Sequence, residues 1–196
     1  MSSKSPKRSG TIYGVLALMT FTLITSFCFL PILVIGILKH IPIQAWRIQC
    51  TKAIDLRVQL WVGLVIAYIH KVYPTPWRVT GTMDFNPKQW YLVIANHQSW
   101  LDTIILQSIF YKKIPVLKFF VKAELKWIPL MCFSWWAMGC PFMKRYSKEY
   151  IEKNPHKKGK DVQTTLKALS LFKSYPATII SFVEGNRLTK QKKLHQ

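Results

Sequence analysis

His97 and Asp102 stand five positions apart in the stretch YLVIANHQSWLD, residues 91–102. An imidazole steadied by a carboxylate is a general base with a fixed tautomer, suited to taking a proton from a hydroxyl. A His beside an Asp is more often structural than catalytic, so the surrounding elements have to decide. The apolar run Tyr91-Leu92-Val93-Ile94-Ala95 is too short for a helix and rich in strand formers, which predicts a buried strand. It gives way to Asn96-His97, a polar Gln98-Ser99 turn, and a second apolar segment from Trp100. Asp102 opens that segment, and a carboxylate is favoured in the first turn of a helix. The pair therefore bridges a strand-to-helix turn at a strand's carboxyl end, where open α/β sheets place their ligands.

Other polar groups follow the same rule. Residues 115–121 read as a strand ending at Lys122, and residues 141–143 as a short strand leading to Lys144-Arg145. Residues 177–183 read as a last strand, followed by Glu184-Gly185-Asn186-Arg187. In a parallel sheet all these groups emerge along one edge. A base, an orienting acid and three cations gathered there can seat an anionic head group and deprotonate a hydroxyl. Taken singly, Lys122 and Arg145 read as solvated charges in a chain with 28 Lys and Arg. Arg187 stands out because Glu184-Gly185 puts it on a tight turn. Cys28, Cys50, Cys132 and Cys140 form no CxxC pair and have no His at ligand spacing, so reduced thiols without a metal are expected.

The elements that must hold these groups alternate. Strand-like runs are separated by residues 103–110, by the Trp-rich residues 125–138, and by a helix from Asp161 in which Val162, Leu166, Leu169 and Phe172 share one face until Pro176. This predicts an α/β domain with a largely parallel sheet and flanking helices over residues 73–196, with residues 77–80 as a short edge strand. The tryptophans at 127–136 read first as core and second as interfacial anchors.

Residues 1–10 are basic, polar and expected to be disordered, and residues 11–72 form a membrane-associated helical region. Residues 11–38 carry no charge and are long enough to cross a bilayer, although Pro31 should kink or break a helix there. One kinked span or a helix pair that turns back would both fit. The apolar residues 60–69 are shorter than a span and predict an interfacial or core-packing helix. A formal charge of +20 with half the residues hydrophobic and eight Trp suits an anionic phospholipid surface. Charge alone would also suit nucleic acid, but no nucleic-acid module is present and the uncharged segment would be unexplained.

Taken together, the motifs resemble those of one family. NHQSWLD, residues 96–102, is similar to the NHxxxxD block of the glycerolipid acyltransferases, the group of the 1-acylglycerol-3-phosphate acyltransferases. Gly139-Cys140-Pro141-Phe142-Met143-Lys144-Arg145 resembles their GxxFxxR block. Glu184-Gly185-Asn186-Arg187 resembles EGTR with Asn for Thr, and Lys122-Ala123-Glu124-Leu125 is similar to the K-x-E-L segment between the first two blocks. The resemblance covers residues 90–190, and residues 141–146 with FVEGNRLT are most similar to a bacterial inner-membrane branch.

It implies an O-acyltransferase with His97 and Asp102 as the catalytic pair and Lys122, Arg145, Glu184, Gly185 and Arg187 at the acceptor's phosphate. It further implies a lysophospholipid acceptor, lysophosphatidate by default, and an acyl thioester donor, acyl-CoA or acyl-acyl carrier protein, with no cofactor. The location implied is a bacterial inner membrane with the site on its cytoplasmic side. The family's proline-containing strand beyond EGTR has no counterpart before Gln196, so the chain is expected to be incomplete at its C-terminal end. The rival expectation is a non-catalytic basic protein that binds anionic phospholipid.

Overall fold

Two long helices precede the sheet. The computed structural model describes residues 10–72, 78–81, 84–97, 99, 101–127, 129–143, 152–154, 159, 163, 166 and 172–182. Helices α1 (Gly10–Leu38) and α2 (Gln44–Val72) are joined by a short turn and run antiparallel. Trp46 Nε1 donates to Leu38 O at 2.8 Å beside that turn, and farther along Trp61 Nε1 donates to Thr25 Oγ1 at 3.1 Å. Residues 11–38 therefore do not turn back on themselves: they form one helix, and the antiparallel pair is completed by residues 44–72. Pro31 does not end α1. Its missing N–H removes one helical bond, but Cys28, Phe29 and Ile32 beside it are buried, and that packing carries the helix through.

Helix α2 is far longer than the expected residues 60–69. Arg47, Lys52, Asp55 and Arg57 mask its first half in a hydropathy reading, yet Ile54, Val58, Trp61, Val62 and Val65 keep one buried helical face. By length and composition both helices could cross a membrane. Their surfaces differ: α2 turns its apolar face to the protein, while α1 leaves Leu16, Leu23, Phe27, Leu30, Val34 and Ile37 exposed.

The sheet follows with β1 (Tyr91–Ala95), helix α3 (Leu101–Ile109), β2 (Leu117–Phe119) and β3 (Val121–Lys122). A 3₁₀ turn at Ala123–Trp127, helix α4 (Pro129–Ala137), β4 (Phe142–Met143) and β5 (Thr178–Phe182) complete the described elements. The strands β1, β5 and β2 form one sheet in that order, and β3 pairs with β4; every pairing is parallel. The expected α/β class with a parallel sheet and flanking helices is what the chain adopts. Gly139, at φ 78°, takes the left-handed conformation that ends α4 and redirects the chain toward β4.

Four expectations change in detail. The strand read at residues 115–121 divides at Phe120, so Lys122 belongs to the two-stranded sheet. Residues 78–80 form no strand. Among the described residues strand β1 lies at a sheet edge, and it exposes Leu92 and Ile94, so it is half-buried; β5, paired on both sides, holds the buried Ile180. Trp127 is 89% exposed and Trp136 and Phe133 are also exposed, which removes them from the core. Of the helix expected from Asp161, Gln163 and Leu166 are described and helical, while Val162 and Leu169 lie outside the described residues. Phe172 is buried in the turn that precedes β5.

The helix pair is fastened to the sheet by polar bonds in an apolar setting. Lys118 on β2 donates to the Asp55 carboxylate on α2, with Lys118 1% and Asp55 5% exposed. The nearby Asp55 carboxylate helps to hold the proton on the Tyr175 hydroxyl. Leaving either charge of such a buried pair without its partner costs about 3–5 kcal/mol. At the hairpin turn Lys39 Nζ donates to Ala137 O at 3.0 Å, a cation placed at the C-terminus of α4. Gly36 makes the approach of α1 to α4 possible, since a Cβ there would meet Ala137 Cβ at 2.8 Å.

These burials carry a pH signature. Burial, reinforced by the charge on Lys118, lowers the Lys39 pKa to about 8. Burial raises the Cys140 thiol to about 11, and burial together with Asp55 raises Tyr175 to about 12. The folded chain releases the Lys39 proton before the unfolded chain does, so this group adds stability as pH rises above about 8. Cys140 has the opposite sign: the folded chain keeps a proton that the unfolded chain loses from about 9 upward, and stability declines. The thermal midpoint in detergent micelles is therefore expected to climb between about pH 8 and 9, to level while the Lys39 and Cys140 slopes cancel, and to turn down above about 10, where Tyr175 joins Cys140. In Lys39→Met the climb should vanish and the downturn persist; an equal climb in that variant would reassign the slope to another group.

Candidate active site at the carboxyl edge of the sheet

The parallel register of β1 with β5 ends at Ala95 opposite Phe182, and His97 follows two residues later. The turn that carries it is locked by the start of α3. Ser99 is the helix cap: Leu101 N–H donates to Ser99 Oγ at 3.0 Å, and Ser99 N–H donates to Asp102 Oδ2 at 2.7 Å. This reciprocal bonding is a capping box, with Asp in the place of the usual Glu or Gln. The same Asp102 oxygen lies 3.2 Å from His97 Nδ1. With Nδ1 donating to the carboxylate, Nε2 carries the lone pair, so the carboxylate selects the tautomer and holds the ring.

The pair is half-buried, with side-chain exposures of 19% for His97 and 21% for Asp102. A reagent can reach the ring while water competes less for the carboxylate. One face of the imidazole stacks on Phe182, with ring centroids 4.3 Å apart and planes 27° apart. Phe182 was not among the residues anticipated from sequence. Its signal was there: it ends β5, whose parallel register with β1 brings it to the same edge as His97.

His97 and Asp102, expected to face each other, do so. Lys122 is exposed on β3, past the break at Phe120 that ends β2, and belongs to the second sheet. Arg145, Glu184, Gly185 and Arg187 lie outside the described residues. Ser99, whose hydroxyl could be considered as a nucleophile, spends its Oγ on the cap of α3. Among the described residues no group of three or more His, Cys, Asp or Glu is placed to hold a metal ion.

Fold and geometry together define an α/β protein with a carboxylate-oriented imidazole at the exit of a parallel strand, an arrangement able to draw a proton from a hydroxyl. The family model described as Acyltransferase matches residues 76–196, more than half of the chain, and the chain belongs to that family. The match takes in the sheet and the His97–Asp102 turn and starts beyond α2. No curated protein and no solved structure matches the chain significantly.

Because one carboxylate serves both the cap and the ring, two substitutions separate its tasks. Asp102→Asn keeps an acceptor for Ser99 N–H and loses the charge facing His97, so the fold should hold while acyl transfer falls at least tenfold. Asp102→Ala loses both and should in addition destabilise the chain by about 1 kcal/mol, the usual worth of a cap. Turnover assays beside thermal unfolding check this; equal stability loss in both variants would count against it.

Proposed function

We propose that this chain is a membrane-bound O-acyltransferase that moves a fatty acyl group from an acyl thioester to the free hydroxyl of lysophosphatidate, giving phosphatidate. The observation that carries the reading is the His97 Nδ1 to Asp102 Oδ2 contact at 3.2 Å on a capped turn at the sheet's carboxyl edge. His97 Nε2 takes the hydroxyl proton as the oxygen attacks the thioester carbonyl. The tetrahedral intermediate then collapses, the C–S bond breaks, and the imidazolium returns its proton to the leaving thiolate. The products are an ester and a free thiol, coenzyme A or acyl carrier protein. Asp102 stabilises the imidazolium in between, and Phe182 holds the ring plane by stacking.

The acceptor's phosphate is assigned to Lys122, Arg145 and Arg187, with Glu184-Gly185 shaping the last turn, on the strength of the family motifs. Guanidinium forks match phosphate oxygens. The 1-acylglycerol-3-phosphate specificity and the bacterial inner membrane with a cytoplasm-facing site rest on the same motifs.

The membrane part of the reading has its own support. The exposed apolar face of α1, with Trp46 and Trp136 exposed nearer the hairpin turn, is the surface a lipid phase would cover. The +20 charge adds attraction to anionic lipid. On this account α1 lays its exposed face on the bilayer, and α2 lies between α1 and the sheet.

Purified chain in mixed micelles, given radiolabelled acyl thioester and a panel of lysophospholipids, should form labelled phosphatidate from lysophosphatidate. His97→Ala should lower turnover on the order of 10²–10⁴-fold with folding retained. Lipid binding without turnover in the parent chain would instead identify a non-catalytic phospholipid-binding protein. For the membrane seat, wild-type chain should stay on phosphatidylglycerol-containing vesicles in high salt. Leu23→Glu with Val34→Glu should convert this to attachment that salt reverses, since the remaining attraction is screened; salt-resistant flotation of that variant would disprove the α1 surface.

A further inference from the structure

A cavity of about 630 Å³ opens at the other end of the sheet, and nothing in the acyl-transfer reading uses it. Its walls come from residues just before each strand of the three-stranded sheet: Lys88 before β1, residues 114–116 before β2, and Ser174 and Tyr175 before β5. Helix α2 closes one side with Lys52 and Asp55, and Lys112 projects from the turn after α3. The length of β1, roughly 17 Å at about 3.3 Å per residue, separates this edge from His97.

Charge in the cavity is lopsided. Lys52, Lys88 and Lys112 are exposed lysines on three different segments. Asp55, the acidic residue of the lining, is already bonded by Lys118. Tyr175 keeps its proton far above neutral pH because of its burial and the neighbouring Asp55, so it adds no negative charge. Three ammonium groups therefore face a space whose carboxylate is spoken for.

Lys112 supplies a second, independent observation. Its φ is 58°, and among the described residues it is the non-glycine residue with positive φ. It sits where α3 terminates, with Lys113 N and Ile114 N both donating to Phe110 O. Glycine is the residue that occupies such a position without strain. Here the strained position carries a long cation at the cavity rim, its Nζ resting 5.2 Å from the Tyr111 ring centroid. Retained backbone strain is a pointer to function when it places a group at a ligand site.

We propose that this cavity is a second binding site, for an organic phosphate whose phosphate group is held by Lys52, Lys88 and Lys112 and whose stem lies on the apolar wall of Ile114 and Val116. The volume falls within the range of small-molecule sites, roughly 300–1,000 Å³, and exceeds what inorganic phosphate fills. Two sources share this chemistry, a water-soluble nucleotide and a phospholipid head group. The site lies at the end of the sheet opposite the candidate catalytic edge, so it stands whether or not His97 is the base.

The test uses the full chain in detergent micelles and follows acetylation of individual lysines by mass spectrometry. The probes are adenosine 3′,5′-bisphosphate and dihexanoyl phosphatidate, each against sodium chloride of equal ionic strength. Lys52, Lys88 and Lys112 should be protected together, while Lys71 and Lys126 remain at the salt level. Protection by the nucleotide alone assigns a soluble ligand, by phosphatidate alone a lipid, and by both the phosphate group itself. Lys112→Gly relieves the positive φ, so it should fold at least as well and bind on the order of tenfold more weakly, as expected for one lost charge-assisted hydrogen bond. No protection beyond salt, equal protection of the reference lysines, or unchanged affinity in Lys112→Gly would overturn the proposal.

Discussion

The buried bond between Lys118 and Asp55 decides how the two parts of this protein sit together. It joins the middle of α2 to β2, the strand beside the central one, where neither side chain reaches water. An ion pair in that setting contributes little net stability, because both charges give up hydration. What it contributes is specificity. A helix pair with one apolar face could slide or rotate on a sheet of branched side chains at small cost. One lysine and one aspartate that must meet exclude those alternatives, since any slip strands a charge. The exposed apolar surface of α1 is thereby given a fixed direction relative to His97.

At the candidate site the economy is tighter still. A single carboxylate oxygen starts α3, closes the turn after β1 and orients the imidazole. Local folding and chemistry share one atom there, because the oxygen that receives the cap's N–H also faces Nδ1 of the ring. The parallel sheet supplies the rest. Its register brings the last ring of β5 under the imidazole, so an element from the far end of the described chain completes a site begun by β1. Belonging to the acyltransferase family gives this geometry its chemical context, and the proposed substrate follows from motifs rather than from contacts.

Much of this was legible in the amino-acid sequence because the signals were local. A five-residue strand, a helix with Asp102 in its first turn and the His97 spacing are all set within a dozen residues, and they appear as read except that the strand is half-buried. What escaped depended on distant partners. Helix α2 hides behind Arg47, Lys52 and Arg57, charges that its solvent-facing side tolerates. Residues 115–121 look like one strand until β5 and β4 claim its two halves for different sheets. Lys118 reads as a surface residue between apolar neighbours, since Asp55 lies 63 positions away. The Trp127 indole, nearly bare, shows that aromatic content alone does not distinguish core from interface. The phosphate ligands expected at Arg145 and residues 184–187 remain a sequence-based assignment.

The strand order has a bearing on how such a chain is made. Synthesis proceeds from the N-terminus, so the helix pair, β1 and β2 all exist before the strand that lies between β1 and β2. Until residues 178–182 leave the ribosome, the two outer strands have no partner in this sheet, and each offers an unpaired backbone edge to its neighbours. The hairpin, by contrast, is local and can form early. The chain therefore completes its sheet only when the keystone strand arrives from more than 50 residues beyond β2.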